Sequence, residues 1–349
     1  MSQKFRRVAF IGFGERAQGL ARTIATTLPE YAEVVAGFDV REIAFSDDIA
    51  SRCKHFRFYK DHHEMLADPQ IDVVFITTYE DTHLQFTLDA LNAGKAVYCD
   101  KPVVQDLEQA EQLYKFVTSR SCYFQIGLNL PYFPVSLKLK ELLDKNTVGR
   151  VTCVRAVCDL NAAFMRRHIM HKFAEPRIDF TCAKITHDTD LTQWLLNTYA
   201  EEVWGLADNF RWRRNGEAPV FNDTVVIAGR YHNGALFTQT LTSTGSTRRQ
   251  VDVFGVDGEI SANLYGDEIH VTKIDQGEET VKLPPQATLG HYGADTKILR
   301  DFFDYLDQGE QKPRWPERIL SSLMVPLAAL NNGVVRTGDW YRGIISNQS

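Results

Sequence analysis

Among 349 residues there is no uninterrupted apolar run of the roughly 18 residues that a membrane-spanning helix requires. The opening residues, Met1-Ser2-Gln3-Lys4-Phe5-Arg6-Arg7, lack the apolar stretch of a secretory signal and lead straight into a strand-like run. Positive charge is in deficit: 39 Lys and Arg stand against 45 Asp and Glu, a net charge of −6. That balance argues against a nucleic-acid partner and against an anionic membrane surface. Cysteine is sparse and unpaired in pattern. None of Cys53, Cys99, Cys122, Cys153, Cys158 and Cys182 forms a Cys-x-x-Cys, and several sit in apolar runs where a thiol behaves as a small hydrophobe. A reducing, cytoplasmic setting is expected. No internal repeat and no low-complexity tract is visible. What remains, 44% hydrophobic and 24% charged, is the composition of a globular chain long enough for two cores.

The organising stretch is Val8–Ala17. A short β-branched run enters Gly12-Phe13-Gly14-Glu15-Arg16-Ala17, and helical character follows through Leu20 and Ile24. Strand, tight turn and helix in that order give the Gly-x-Gly-x-x-Ala pattern a mechanism. Gly12 permits the sharp turn, Gly14 lets a pyrophosphate approach bare backbone, and Ala17 lets helix pack on strand. The helix N-terminus supplies unpaired N–H groups and positive dipole to phosphate. A second buried strand, Glu33–Asp39, ends in an acid 22 residues after Ala17. The spacing expected for a ribose-binding carboxylate is about 20 residues. Asp39 therefore points to NAD, since a carboxylate there repels a 2′-phosphate. Arg41 keeps NADP open as the alternative.

Residues 8 to about 125 alternate strand and helix: strands at Phe56–Tyr59, Ile71–Thr77, Ala96–Cys99 and Tyr123–Gly127, helices at Asp61–Ala67, Asp81–Ala93 and Leu107–Thr118. The alternation predicts a doubly wound parallel sheet, a Rossmann domain over residues 1–127, with ligands at the carboxyl ends of its strands. Beyond Pro131-Tyr132-Phe133-Pro134 comes a helix, Val135–Lys145, and then long alternating runs separated by Asn233-Gly234, Asp257-Gly258 and Gln276-Gly277. Residues 128–349 are predicted as an α+β domain with an open, mostly antiparallel sheet. Its helices are expected at about Thr186–Asn197, Asp295–Asp307 and Glu317–Leu330. A large sheet needs cover on both faces, which predicts a homo-oligomer, dimer or tetramer, through this sheet.

Three clusters carry candidate chemistry. Thr77-Thr78-Tyr79-Glu80-Asp81-Thr82-His83 follows a strand and opens a helix; its hydroxyls suit phosphate or ribose, and equally an N-cap. Cys99-Asp100-Lys101-Pro102 ends the next strand. Lys101 there can hold a substrate hydroxyl and favour its alkoxide-like form as hydride leaves, or it is a surface lysine. In Lys184-Ile185-Thr186-His187-Asp188-Thr189-Asp190-Leu191-Thr192-Gln193-Trp194, His187 is read at a helix start, sharing a face with Asp190, Leu191 and Trp194. An imidazole suits acid–base work and Asp190 can orient it; a core histidine is the plainer reading. His168 and His171 would need a helix through residues 161–172 to bind metal, so no metal is expected. His62-His63 reads as a solvated helix face.

With these motifs in hand the chain resembles, over nearly its whole length, the glucose–fructose oxidoreductase / inositol dehydrogenase / rhizopine-catabolism (Gfo/Idh/MocA) family of NAD(P)-dependent oxidoreductases. The marks are Gly12–Ala17, the segment up to His83, Ala93-Gly94-Lys95-Ala96-Val97-Tyr98-Cys99-Asp100-Lys101-Pro102, and His187 with Asp190. Asp100 stands where the family carries Glu. The resemblance implies that Lys101 holds the reacting hydroxyl near the nicotinamide ribose and that His187 is the acid/base. It implies cofactor contacts at Gly12, Phe13, Gly14, Glu15, Arg16, Ala17, Asp39, Thr77, Thr78, His83, Asp100, Lys101 and Asn129. It also implies a Rossmann domain followed by an α/β domain used for oligomerisation, and a sugar, cyclitol or related polyol as substrate. Two positions depart from the family. Ala183 stands four residues before His187, where many members have aspartate, and Lys184 follows it as a candidate substrate contact. Pro131 stands before Tyr132 where relatives often have arginine. The basic run Phe164–Arg177, in a region that covers the substrate pocket in relatives, offers Arg166, Arg167, His168 and Lys172 for a carboxylate or phosphate, or is a solvated loop. Two other functions remain open on this reading: glycoside cleavage through transient oxidation by bound NAD, and a dinucleotide-binding sensor without catalysis.

Overall fold

The computed structural model describes residues 4–43, 47–166, 180–211, 222–243, 245–285, 291–309, 322–327 and 334–339. In chain order the first elements are β1 (Arg6–Ile11), α1 (Glu15–Thr27), β2 (Ala32–Phe38), α2 (Asp47–Arg52), β3 (Arg57–Phe58), α3 (His62–Ala67), β4 (Val73–Ile76), α4 (His83–Asn92), β5 (Ala96–Cys99), α5 (Leu107–Thr118) and β6 (Phe124–Ile126). There follow α6 (Pro134–Asp144), β7 (Val151–Asp159), α7 (Ala162–Phe164), α8 (Phe180–Leu196), β8 (Ala200–Asp208), β9 (Thr224–Tyr231), β10 (Leu236–Thr242), β11 (Arg248–Gly255), β12 (Gly258–Asn263), β13 (Glu268–Lys273), β14 (Gly277–Lys282), α9 (Ala294–Gln308) and β15 (Val334–Val335). The chain divides into two units, Met1–Asn129 with Ala287–Pro316, and Leu130–Gln286 with Glu317–Ser349.

The first unit is built on a parallel sheet ordered β3-β2-β1-β4-β5-β6. Val8–Ile11 and Val73–Ile76 are solvent-free, as expected of strands covered on both faces. The strand order reverses between β1 and β4, which opens a crevice beyond their carboxyl ends. Helix α1 turns Ala17, Leu20, Ala21 and Ile24 inward. Asp106 caps α5 by accepting from Gln109 N at 2.8 Å. The helix read from the sequence at 295–307 is α9, and by its contacts it belongs here. Its Phe302 ring lies 5.8 Å from that of Phe75 and 5.1 Å from that of Tyr123. The Tyr123 hydroxyl donates to Phe302 O at 3.0 Å, and Arg6 pairs with Asp307 at 2.7 Å.

The second unit holds a sheet ordered β14-β13-β12-β11-β7-β10-β9-β8-β15. Its neighbours are antiparallel except β7 and β10, which run parallel with Phe237 opposite Val154. Alternation sends Val203, Val225, Ile227, Phe237 and Leu241 to one face, where Ala183 and Ile185 of α8, Met165 and Val325 complete a core. The short helices α2 and α7 were not expected from the sequence, and β14 and α8 also differ from expectation. Strand β14, Gly-Glu-Glu-Thr-Val-Lys, is exposed almost throughout, so as an edge strand it carries no apolar alternation to read. Helix α8 begins at Phe180 rather than Thr186; Thr186 is buried, so it is an interior residue and not a cap. His187 therefore lies well inside the helix, not at its start.

Candidate active site

At the end of β1, Gly12 has φ +82°, and a Cβ built on it would stand 2.7 Å from Thr78 N. The turn is pinned by Gly12 N donating to Phe38 O at 2.7 Å and by Thr77 Oγ1 donating to Gly12 O at 2.7 Å. Gly14 is the extended residue preceding α1, and no side chain caps that helix. A Cβ there would meet nothing nearer than Arg41 Nη2 at 3.6 Å. Bare backbone without steric obstruction, with the Arg41 guanidinium 3.6 Å from a Cβ built at Gly14, at a helix N-terminus whose amides no side chain caps, fits a pyrophosphate. The Phe13 ring is buried among Phe10, Phe56 and Phe58, which leaves only its backbone at the turn. Ala17 is solvent-free, and Glu15 begins the first turn of α1.

Asp39 follows β2 directly. Its Oδ2 accepts from Phe13 N at 2.8 Å, and its Oδ1 accepts from Arg41 N at 2.9 Å. The Arg41 side chain adds Nε at 3.2 Å and Nη2 at 3.3 Å. Burial pushes the carboxyl upward, but these donors outweigh it and hold Asp39 below the ordinary carboxylate range. It is a fixed anion suited to accept ribose hydroxyls, with a half-exposed guanidinium beside it.

Beyond β5, Asp100 Oδ1 accepts from Lys101 N at 3.0 Å, and the Lys101–Pro102 peptide is cis. Arg16, expected among the cofactor contacts, turns its guanidinium to two acids: Nε to Asp100 at 3.3 Å, Nη1 and Nη2 to Asp295 at 2.7 and 3.2 Å. Burial would draw its proton off, and the two carboxylates outweigh that. His291 Nδ1 lies 2.9 Å from Asp295 Oδ2, and Asn129 Nδ2 lies 3.5 Å from Oδ1. His83 is buried, with Nδ1 2.8 Å from Pro102 O and Nε2 3.1 Å from Thr78 O. Both ring nitrogens thus face backbone carbonyls, so His83 ties the Thr78 loop to the Lys101 loop. The hydroxyl of Thr78 accepts from Thr82 Oγ1 at 2.7 Å. Asp295 and His291 were not singled out by sequence; their only local signal was a His/Asp pair four apart where α9 begins.

In the second unit α8 is polar yet buried. His187 is 9% exposed, while Asp188, Thr189, Asp190 and Thr192 are at 1% or less. Asp188 accepts from Arg249 Nε at 2.9 Å and Nη2 at 2.7 Å. Thr189 Oγ1 donates to Gln239 Oε1 at 2.9 Å, and Thr192 Oγ1 accepts from Tyr231 OH at 2.8 Å. A helix held on the sheet at these points cannot slide or roll, which fixes where His187 and Asp190 sit. Lys184 is half-buried one turn before His187. Arg249 on β11 is a partner the sequence reading missed. Arg167 and His168 lie outside the described residues. Among the described residues one group of metal-ligand atoms lies within 4.8 Å, Asp61-His62-His63; there Asp61 already caps His63 N at 2.8 Å.

Comparison with known proteins follows this division. Residues 6–128 match the family model described as "Oxidoreductase family, NAD-binding Rossmann fold", and residues 136–261 match the GFO/IDH/MocA C-terminal domain. The chain is 33% identical over 139 residues to trans-1,2-dihydrobenzene-1,2-diol dehydrogenase of Danio rerio, covering 40% of this chain and 41% of that one. That match spans less than half of the relative's length. It is 25% identical over 344 residues to inositol 2-dehydrogenase 2 of Saccharopolyspora erythraea, covering 97% of this chain and 89% of the other. Among solved structures, levoglucosan dehydrogenase in complex with NADH and levoglucosan superposes with a TM-score of 0.82 at 18% identity, over 96% of this chain and 100% of that one. With both halves matched, the chain belongs to the GFO/IDH/MocA family of oxidoreductases, and its first unit is that family's NAD-binding Rossmann fold.

Proposed function

We propose that this chain is an NAD-dependent dehydrogenase that moves a hydride between the cofactor and a secondary alcohol of a sugar, cyclitol or related polyol. The carrying observation is the carboxyl edge of the parallel sheet. There the Gly12–Gly14 turn, the Asp39 carboxylate and the loop bearing Lys101 stand at the ends of β1, β2 and β5. The named relatives act on inositols, on a dihydrodiol and on levoglucosan, all carriers of secondary hydroxyls. NAD, when bound, supplies the hydride acceptor. Gly14 and the α1 N-terminus hold its pyrophosphate, and Asp39 holds the adenosine ribose with Phe13, Glu15, Arg16, Thr77 and Thr78 around the turn. Lys101 donates to the reacting hydroxyl oxygen and stabilises the charge that grows there as hydride leaves. His187 takes the hydroxyl proton, Asp190 steadies the imidazole, and Lys184 binds a further substrate oxygen. The first unit holds the cofactor and supplies Lys101; the second supplies His187, Asp190, Lys184 and the assembly surface.

Assembly through the second sheet has its own support. On the face away from the α8 core, Trp204, Leu206, Val226 and Leu236 are 39–47% exposed. Leu206 lies opposite Val226, and Trp204 opposite Ala228, so Trp204, Leu206 and Val226 form one patch, with Leu236 further along β10 opposite Arg230. A second copy of the chain is the proposed cover, giving a dimer or tetramer. Five described cysteines are free thiols, which suits the cytoplasm, and among the described residues no helix is long and apolar enough to cross a membrane.

The test is NADH formation from myo-inositol, scyllo-inositol, levoglucosan and D-xylose. Turnover lost by a factor of about 10³ in Lys101→Ala, with NADH affinity kept, supports the reading. Unchanged turnover in that variant removes Lys101 from it. Glycoside cleavage without added NAD would favour a transient-oxidation enzyme instead.

A further inference from the structure

His83 opens α4 and is 1% exposed, so its ring meets protein rather than water. Nδ1 lies 2.8 Å from Pro102 O and Nε2 3.1 Å from Thr78 O. A backbone carbonyl accepts hydrogen bonds and cannot donate them. A neutral imidazole carries one N–H and would turn a bare lone pair toward one of these two oxygens. With no water to fill in, that mismatch is costly. Only the imidazolium donates to both. Cys99, whose side chain also reaches the ring, could give a hydrogen to a ring nitrogen only if that nitrogen gave up its carbonyl. Of the elements on α4, β5 brings Cys99 with Asp100 just beyond it, β4 brings the apolar Val73–Ile76, and α5 turns Tyr114 inward. The turn before the helix carries Glu80 and Asp81. Burial works against the charge, but Cys99, the Pro102 carbonyl and Asp100 outweigh it and push the imidazole up to about 9.

The two carbonyls belong to the loops that frame the nucleotide turn. Thr78 N would stand 2.7 Å from a Cβ on Gly12, and Thr77 Oγ1 donates to Gly12 O at 2.7 Å. Pro102 follows Lys101, whose N donates to Asp100 Oδ1 at 3.0 Å. The Lys101 backbone is thus held on one side by Asp100 and on the other, through Pro102, by His83.

We propose that His83 is a positioning residue held as an imidazolium, whose two N–H groups lock the Thr78 and Pro102 loops together and so fix Lys101 against the nucleotide turn. Its use in hydride transfer rests on the dehydrogenase reading above; its charge does not. A neutral side chain serves one loop only. Glutamine has both amide hydrogens on one nitrogen, and its oxygen repels the other carbonyl. Loss of the His83 proton therefore frees one loop, and Lys101 loses its register to the cofactor while the Gly12 turn and the Asp39 carboxylate stay in place.

Turnover of the wild type and of His83→Gln is compared at saturating NAD from about pH 7 to about pH 10. The substrate is whichever of myo-inositol, scyllo-inositol, levoglucosan and D-xylose the wild type oxidises. The ratio of the two kcat values cancels titrations that the proteins share, those of Lys101 and His187 included. It should be about tenfold at neutral pH and fall toward one as pH passes through about 9. A ratio that stays flat marks a merely structural role and overturns the proposal. The charge is read apart from activity, from the ring-nitrogen NMR signals of His83, assigned through contact with Pro102 and through their loss in His83→Gln. Both nitrogens should be protonated at neutral pH. A neutral tautomer there ends the proposal, whether or not any polyol is oxidised. If no polyol is oxidised while both nitrogens are protonated, the dehydrogenase reading fails and the clamp stands. Should His83→Gln fail to fold, the assignment through Pro102 keeps the charge decidable.

Discussion

Arg16 and Asp295, 279 positions apart in the chain, form a two-pronged ion pair, Nη1 to Oδ2 at 2.7 Å and Nη2 to Oδ1 at 3.2 Å. The pair joins the first turn of α1 to the first turn of α9. Truncating one partner leaves the other charge largely desolvated, and Arg16 keeps a quarter of its side chain exposed, which softens the penalty. Asp295→Ala should cost about 3 kcal/mol of unfolding free energy in urea titration. Glu141→Ala, which removes an exposed partner of Lys138 and Lys145 on α6, is the control and should change stability little.

The two glycines of the turn should fail in different ways. Gly12→Ala meets Thr78 N at 2.7 Å and a positive φ of +82°, so it should lower the melting temperature, with a cost of about 1–3 kcal/mol. Gly14→Ala finds ordinary space, 3.6 Å to Arg41 Nη2. It should melt like the wild type yet bind NADH about tenfold or more weakly, because its methyl stands where phosphate approaches. Thermal melts beside NADH fluorescence titrations read both.

Cofactor choice should follow Asp39 and Arg41. Asp39→Ser removes the anion that accepts ribose hydroxyls and frees Arg41 from the three contacts it makes through N, Nε and Nη2. The ratio of kcat/KM for NADP over NAD should rise by about tenfold or more. Adding Arg41→Ala should cancel most of the gain.

His83 should make stability fall with alkaline pH. Burial works against its charge, but the partners at Cys99, the Pro102 carbonyl and Asp100 push its pKa up to about 9. The folded value exceeds the unfolded value of about 6.5. Its contribution is therefore complete below pH 6.5 and fades as pH climbs through 9. Across that window the wild type should lose up to about 3 kcal/mol more than His83→Gln, measured by denaturation at a series of pH values.

The centre of the first sheet was legible because β1, β4 and β5 are buried on both faces and the junctions that follow them carry glycine, threonine and proline punctuation at Gly12, Thr77 and Pro102. Gly12, Gly14 and Asp39 declare themselves through local backbone demands that spacing alone reveals. Arg16 shows the limit: the resemblance put it among the cofactor contacts, while its guanidinium partner Asp295 is distant in sequence, and no local pattern encodes a contact of that span. Asp188 and Arg249 were hidden for the same reason. His83 was visible as a residue, but two carbonyl partners contributed by separate loops decide what it does. The start of α8 was placed at about Thr186, six residues late, because the residues from Phe180 add no polar face that would mark a helix before it.

That α9 completes the first unit bears on how the protein comes off the ribosome. The rings that fill one side of the parallel sheet, Phe302 above all, are translated after β7 to β14, which are all of the second sheet but β15. Residues emerging first must therefore wait, with Phe75, Tyr98 and Tyr123 unsheltered, until translation is nearly finished. Chaperone demand during synthesis should fall on the N-terminal half, and a chain released early, before Asp295 and Phe302, should be prone to aggregate even with every glycine of the nucleotide turn in place.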